Sequence, residues 1–331
     1  MDFRQNPCSL VRETSQWVAQ QSCHVSIDDS AISSFVARIT VEEAKSICQG
    51  GSLDYDGHFV DISRPELTSR YFLVLDAINF CFFPKVPKVP ESKLEYENLS
   101  RGLKRSVEDD PECLNLSALS RMKYDELCNL FGVDCLPLGD ERTRLVREVA
   151  SQLLEYHQGS MVDLVMKAES SAVKMVEMIT CLFPGFRDHA VYRGRQIFFL
   201  KRAQILVADL SWALKDCTGF QFRDLDELTM FPDYRVPVVL RELDILRYSS
   251  DLSELVDSKK SLLPGTEYEV EIRCNSIIAV ERMKEAIRNA FIDIHPNINP
   301  FSIHIDWLLW GIGERDQSRH RPHHRTLTIF Y

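Results

Sequence analysis

Glycine is scarce in this chain, 13 residues in 331, and none stands in a GxxxxGK[ST] or GxGxxG arrangement. That argues against the backbone cradles that hold most nucleoside triphosphates and dinucleotides. Paired cysteines are missing as well. The ten cysteines are scattered singles (Cys8, Cys23, Cys48, Cys81, Cys113, Cys128, Cys135, Cys181, Cys217 and Cys274), so neither a zinc site nor a dithiol redox motif is suggested. Long hydrophobic runs are absent too. The most apolar window, YFLVLDAINFCFF (71–83), is too short to span a bilayer and carries Asp76 and Asn79. The opening MDFRQNPCSL has no apolar stretch of the kind a secretion signal needs. With unpaired thiols throughout, a reducing compartment is expected, the cytoplasm by default.

Basic charge is in deficit. Lys and Arg total 39 against 49 Asp and Glu, for a formal net charge of −10. Proteins that grip polymeric phosphate usually present a basic face, so a long nucleic acid is not an expected partner. A single phosphate needs only a local cluster of cations. There is no repeat of solenoid length and no low-complexity segment.

What remains is an ordinary globular composition, 45% hydrophobic and 27% charged, able to bury a full core. Helical periodicity dominates. In DERTRLVREVASQLLEY, Leu145, Val149 and Leu153 fall on one face; SSAVKMVEMITCLF and SIIAVERMKEAIRNAF repeat the pattern. Alternation that reads as strand is brief: GRQIFFL (194–200), EYEVEIR (267–273) and the terminal TLTIFY. FPKVPKVPES (83–92) reads as an extended connector. The expected fold is mainly α with a few short β-strands. It comprises a poorly defined segment over 1–30 and one compact helical domain over 31–331.

Three stretches could carry chemistry. FRDHAVYRGRQIFFLKRAQILVADL holds the densest basic content: Arg187, Arg193, Arg195, Lys201 and Arg202. Solvated arginines on a hairpin explain most of it, but Lys201 stands at an apolar junction, where a lysine either snorkels or meets a carboxylate or phosphate. In TMFPDYRVP, Asp233 suits a helix N-cap, with Pro237 tolerated in the first turn. A carboxylate held there by backbone N–H groups also suits stabilisation of a developing cation. In FSIHIDWLLWGIGE, Asp306 and Trp310 share a helical face, an acid backed by an indole that fits a purine-like ring; a structural hydrogen bond is the plainer reading of Asp306. His58 by itself is a loop histidine. In SRHRPHHR, His320, His323 and His324 are interrupted by proline and flanked by arginine, so no metal site is expected.

At these stretches the chain resembles a known family, the queuosine salvage proteins (queuosine 5′-phosphate N-glycosylase/hydrolases). The resembling blocks are LDAINFCFFP, FPGFRDHAVYRGRQIFFLKRAQILVADL, LTMFPDYRVPVVL, LRYSSDL, EVEIR and IDWLLW, in family order over roughly residues 55 to 331. The resemblance implies a helical fold similar to helix-hairpin-helix DNA glycosylases. It also implies an N-glycosyl hydrolase that releases queuine from queuosine 5′-monophosphate with water and no cofactor. Carried onto this chain, it puts the catalytic aspartate at Asp233, an aromatic contact at Phe231, and a histidine near the base at His58. The base-reading acid and aromatic fall at Asp306 and Trp310, and a site lysine at Lys201. The family pattern has a second carboxylate immediately after the tryptophan, where this chain has Gly311. Lys201, with Arg235 or Arg202, is expected to hold the 5′-phosphate. The alternatives are a non-catalytic nucleotide-binding or scaffolding helical module, in which Asp233 is only a cap, and a base-excision glycosylase acting on nucleic acid.

Overall fold

The computed structural model describes residues 5–50, 55–83, 94–315 and 319–331. Among them, fifteen α-helices and three two-stranded sheets form the regular structure, matching the helical expectation. The connector read at 83–92 lies almost wholly outside the described residues.

Local chemistry starts these helices. Asn6 accepts from the Cys8 and Ser9 N–H groups ahead of the helix Pro7–Gln21, with proline at its first position. Thr40 and Glu43 close a capping box on Val41–Cys48. Ser160 and Ser171 cap Met161–Lys167 and Ala172–Leu182. Within the segment read as poorly defined, Pro7–Gln21 is therefore helix. Pro7–Gln21 packs along Glu267–Phe291 and buries Cys8, Val11 and Val18, an apolar stripe masked in the sequence by the polar residues between.

The core runs through Pro65–Ala77, in which every residue from Tyr71 to Ala77 is buried, and through the 25-residue helix Glu267–Phe291. The second corrects the strand read at EYEVEIR, whose alternation of charged and apolar residues suggested one wet face. Past the exposed Glu267, the charged residues Glu269, Glu271 and Arg273 are buried as well. Glu271 accepts from the N–H groups of Cys23, His24 and Val25 and from the Tyr192 hydroxyl, and Glu269 lies against Arg273. Of TLTIFY, only Thr326 joins a strand: Arg325–Thr326 pairs in parallel with Ser261–Leu262. The hairpin expectation holds. His189–Tyr192 pairs antiparallel with Arg195–Phe198, and the turn residues Arg193 and Gly194 both have positive φ, 47° and 79°, as a tight two-residue turn requires. Val25–Ile27 pairs with Leu246–Tyr248. No helix of the described residues is long and apolar enough to cross a membrane.

Candidate active site

One ion pair ties two distant stretches into register. Arg273, in the second turn of Glu267–Phe291, grips both oxygens of Asp188 at 3.0 and 2.6 Å, and both side chains are buried. Asp188 also accepts from the Lys201 N–H at 3.2 Å, fixing the start of the helix Lys201–Ala213. Arg273 Nε donates to the Pro232 carbonyl at 3.0 Å, fixing the residue before Asp233. The stretches that carry Lys201 and Asp233 thus hang from one guanidinium, stacked between the Phe199 and Tyr331 rings.

Those stretches open onto a cavity of about 510 Å³. His58, Lys201, Phe231, Asp233, Arg235, Asp306 and Trp310 all line it, so the structure brings together seven of the eight residues singled out by sequence. The eighth, Arg202, is not at the cavity. It is fully buried, donating to the carbonyls of Ala77, Asp76 and Gly185 between the Phe80 and Phe186 rings. It therefore has no access to a ligand phosphate.

Asp233 does cap a helix. Its Oδ1 accepts from the N–H groups of Arg235 and Val236 at 2.9 and 3.0 Å, where Val236–Glu242 begins with Pro237 in its first turn. Oδ2 takes no part in that cap, and the side chain is half-buried, its open part on the cavity. Burial raises the Asp233 pKa, opposed chiefly by the charge of Lys201 and then by the two N–H groups.

Lys201 is the first residue of its helix, after Leu200 in left-handed conformation (φ 53°), and is buried with its amine at the cavity. Its Nζ donates to the Asn79 carbonyl at 3.0 Å, and no carboxylate of the described residues comes within ion-pair distance. Burial lowers its pKa; Asp233 and then Asp76 oppose that.

Asp306, in Ser302–Glu314, accepts from the Phe231 N–H through Oδ1 at 2.9 Å, so the plainer structural reading is true of one oxygen. Burial first and Asp233 second hold its pKa well above the usual carboxylate range. Trp310, one turn on, meets the Tyr96 ring edge-on at 6.0 Å. His58 Nε2 lies 2.8 Å from the Tyr96 hydroxyl, and its ring stacks on Phe72. A Cβ at Gly311 would meet nothing within 4 Å. One turn beyond, Glu314 lines the same cavity, paired with Arg235 at 2.7 Å.

Sequence reasoning missed Asn79, Tyr96, Asp209 and Glu314 on the cavity wall. Asp209 was within reach, since Lys201, Ile205 and Asp209 follow at helical spacing and line one face. A wider, more open groove of about 790 Å³ lies on the other side of His58. Its cations are already engaged, Arg64 by Asp61 and Lys104 by the Asp56 carbonyl. The three histidines of SRHRPHHR diverge: His320 pairs with Glu242, His323 packs on Tyr234, and His324 reaches the Tyr331 hydroxyl. His24, Glu267 and Glu271 come close enough to share an ion, but the Glu271 oxygens are already occupied by the donors named above.

Comparison with known proteins covers nearly all of the chain. Residues 59–331 match the family model described as queuosine salvage protein. A protein of Dictyostelium discoideum named queuosine 5′-phosphate N-glycosylase/hydrolase is 39% identical over 334 residues, covering 98% of this chain and all of the relative. Proteins of the same name from Sphaerobacter thermophilus and Bos taurus are 36% and 30% identical; each alignment covers 97% of this chain, with 97% and 98% of the relatives.

Proposed function

The chain belongs to the queuosine salvage protein family, and from that premise we propose that it hydrolyses the N-glycosidic bond of queuosine 5′-phosphate and releases queuine for reuse in tRNA modification. The observation that carries the mechanism is the division of labour within one carboxylate. Asp233 spends Oδ1 on two backbone N–H groups and keeps Oδ2 for the cavity.

Cleavage builds positive charge at C1′ of the ribose as the bond to the base stretches. An ionised Asp233, immobilised by its cap, stabilises that charge without reorganising. Water then adds to C1′ and gives its proton to Oδ2; the departing base takes a proton from solvent on a ring nitrogen, and Asp233 returns its own to solvent, so that the net reaction moves one proton from water to base. Queuine is a 7-deazaguanine, so N7 is not that nitrogen. Lys201 keeps Asp233 ionised against its burial. With Asp233 and Asp306 on the same cavity, the surroundings of the C1′ cation stay net anionic.

Asp306 accepts the N1–H and exocyclic amine of the guanine-like edge, while Phe231 and Trp310 wall the ring and His58 borders it. Glu314 and Glu95 give the cavity mouth the sign that suits the cationic amine of the base. Arg235 and Lys201 are the cations assigned to the 5′-phosphate, with Arg101 and Arg315 also on the cavity wall. A carboxylate at a helix start facing a nucleotide sugar supports the likeness to helix-hairpin-helix glycosylases. The net charge of −10 supports a mononucleotide rather than a polymer as substrate, and a cytoplasmic location suits a salvage enzyme with ten free cysteines.

The test is to incubate the purified chain and its Asp233→Asn variant with queuosine 5′-monophosphate and follow free queuine by chromatography. Release by the parent and none by a folded variant supports the reading. Binding without release by the parent would overturn it in favour of a binding module.

A further inference from the structure

One ionisable group beside the cavity has no task in that mechanism. Asp76, in the last turn of Pro65–Ala77, is fully buried. Among the described residues neither of its oxygens has a partner at hydrogen-bond geometry, the Asn79 side chain being a looser contact that lowers its pKa. An unpaired buried acid is costly, and its surroundings are cationic. Lys201 Nζ is anchored on the carbonyl of Asn79, three residues along, and Arg202 donates to the carbonyls of Asp76 itself and Ala77. The two cations clasp the C-terminal end of this helix, where carbonyls are unsatisfied.

We propose that Asp76 is a positioning residue for the proposed hydrolysis: a counter-ion that keeps the buried Lys201 amine charged from outside the reaction cavity and, through it, keeps Asp233 ionised. Among the described residues Lys201 has no carboxylate at ion-pair distance, so its charge is balanced at longer range, by Asp233 on the cavity and by Asp76, which does not line it. Asp233 alone is a poor guarantor, because its charge is drawn toward C1′ as the bond breaks, when Lys201 needs a partner most. Asp76 does not line the cavity and meets no reacting atom, so its charge is not drawn toward C1′ during the reaction. Arg202 cannot serve in place of Lys201, since its two terminal nitrogens are committed to carbonyls and it does not line the cavity. Asp76 is faced by Lys201 and Arg202 from the neighbouring helix, by Tyr71 on its own helix and by Asn79. Lys201 is faced also by Asp233, Arg202 and Asp306, and Arg202 by Asp188, Glu148 and Arg144. Burial lifts the Asp76 pKa to about 7, with Lys201 the largest opposing influence, which fits mutual dependence of the two charges.

The test has a kinetic and a spectroscopic arm, both on the full chain. In Asp76→Asn, the alkaline limb of kcat/KM for queuine release should move to lower pH by about one unit, because Lys201 loses its proton more readily. The thermal midpoint should not fall. A pH profile superimposable on the parent's, or a rate lowered equally at all pH, overturns the proposal. In ¹³C-carboxyl NMR, assigned by through-bond correlation, the Asp76 titration midpoint should rise in Lys201→Met relative to the parent; an unchanged midpoint overturns it. The spectroscopic arm needs neither substrate nor a folded Asp76→Asn variant, so failure of the proposed reaction and failure of this proposal are told apart.

Discussion

Arg273 and Lys201 are cations of nearly equal burial, 2% and 4% exposed, yet their surroundings are built on opposite terms. Arg273 has its donors on Asp188 and the Pro232 carbonyl, Glu269 within 3.5 Å, and an aromatic ring on either side. Lys201 has one carbonyl and no ion pair among the described residues, beside carboxylates whose pKa values burial has raised. A closed charge cluster holds chain segments together. An open one keeps its field for something that enters the cavity. The two are joined, because the closed cluster fixes the backbone positions from which Lys201 and Asp233 reach the cavity.

The largest expected effect lies in the open cluster. Asp233→Asn keeps the cap, since asparagine caps about as well as aspartate, but removes the charge. Queuine release should fall at least about 10³-fold, roughly 4 kcal/mol of barrier, with a thermal midpoint close to the parent's. A comparable loss of stability would mean that the two clusters do not differ in kind. Arg273→Met tests the other side. It leaves Asp188 and Glu269 buried without their cation and should cost about 3–5 kcal/mol in denaturant unfolding. Lys201→Met should do the reverse: a rate loss on the order of a hundredfold, with stability unchanged or raised, because a buried amine without a close partner is exchanged for an apolar chain of similar length.

The sequence reveals this contrast only in part. Lys201, Asp233 and Asp306 stood out because each is a charged residue set among apolar ones. The helices around them were legible from periodicity, and caps such as Ser171 fall where that periodicity begins. Arg202 looked identical to Lys201 from the same signal. Only packing decides that Lys201 opens on a cavity while its neighbour ends on backbone carbonyls. Glu269 and Glu271 misled for a related reason: acidic residues alternating with apolar ones suggest a solvated face, and no local feature announces that Arg273, Tyr192 and three backbone N–H groups satisfy them inside. Buried pairing is a long-range property, and Asp188 and Arg273 meet across 85 residues of chain.

The smallest effect expected is also the one that reads the open cluster while the enzyme turns over. Burial and the neighbouring Asp233 hold the Asp306 pKa far above the usual range, so in the empty site this acid binds its proton well into the pH region where free aspartate is ionised. The native chain therefore holds more protons than the unfolded one, and the Asp306 contribution to stability declines as pH rises from the unfolded pKa toward the folded one. Asp306→Asn should accordingly be no less stable than the parent at neutral pH, its amide oxygen still accepting from Phe231. Binding runs the other way. The guanine-like edge offers two donors and requires the carboxylate, so the nucleotide must expel that proton as it enters. Below the empty-site pKa, KM should rise by up to about tenfold per unit fall in pH, with kcat changing less. This KM dependence should flatten in Asp306→Asn, whose KM is raised throughout. If KM has the same pH profile in parent and variant, Asp306 is only a support for Phe231 and belongs with Arg273 in the closed cluster.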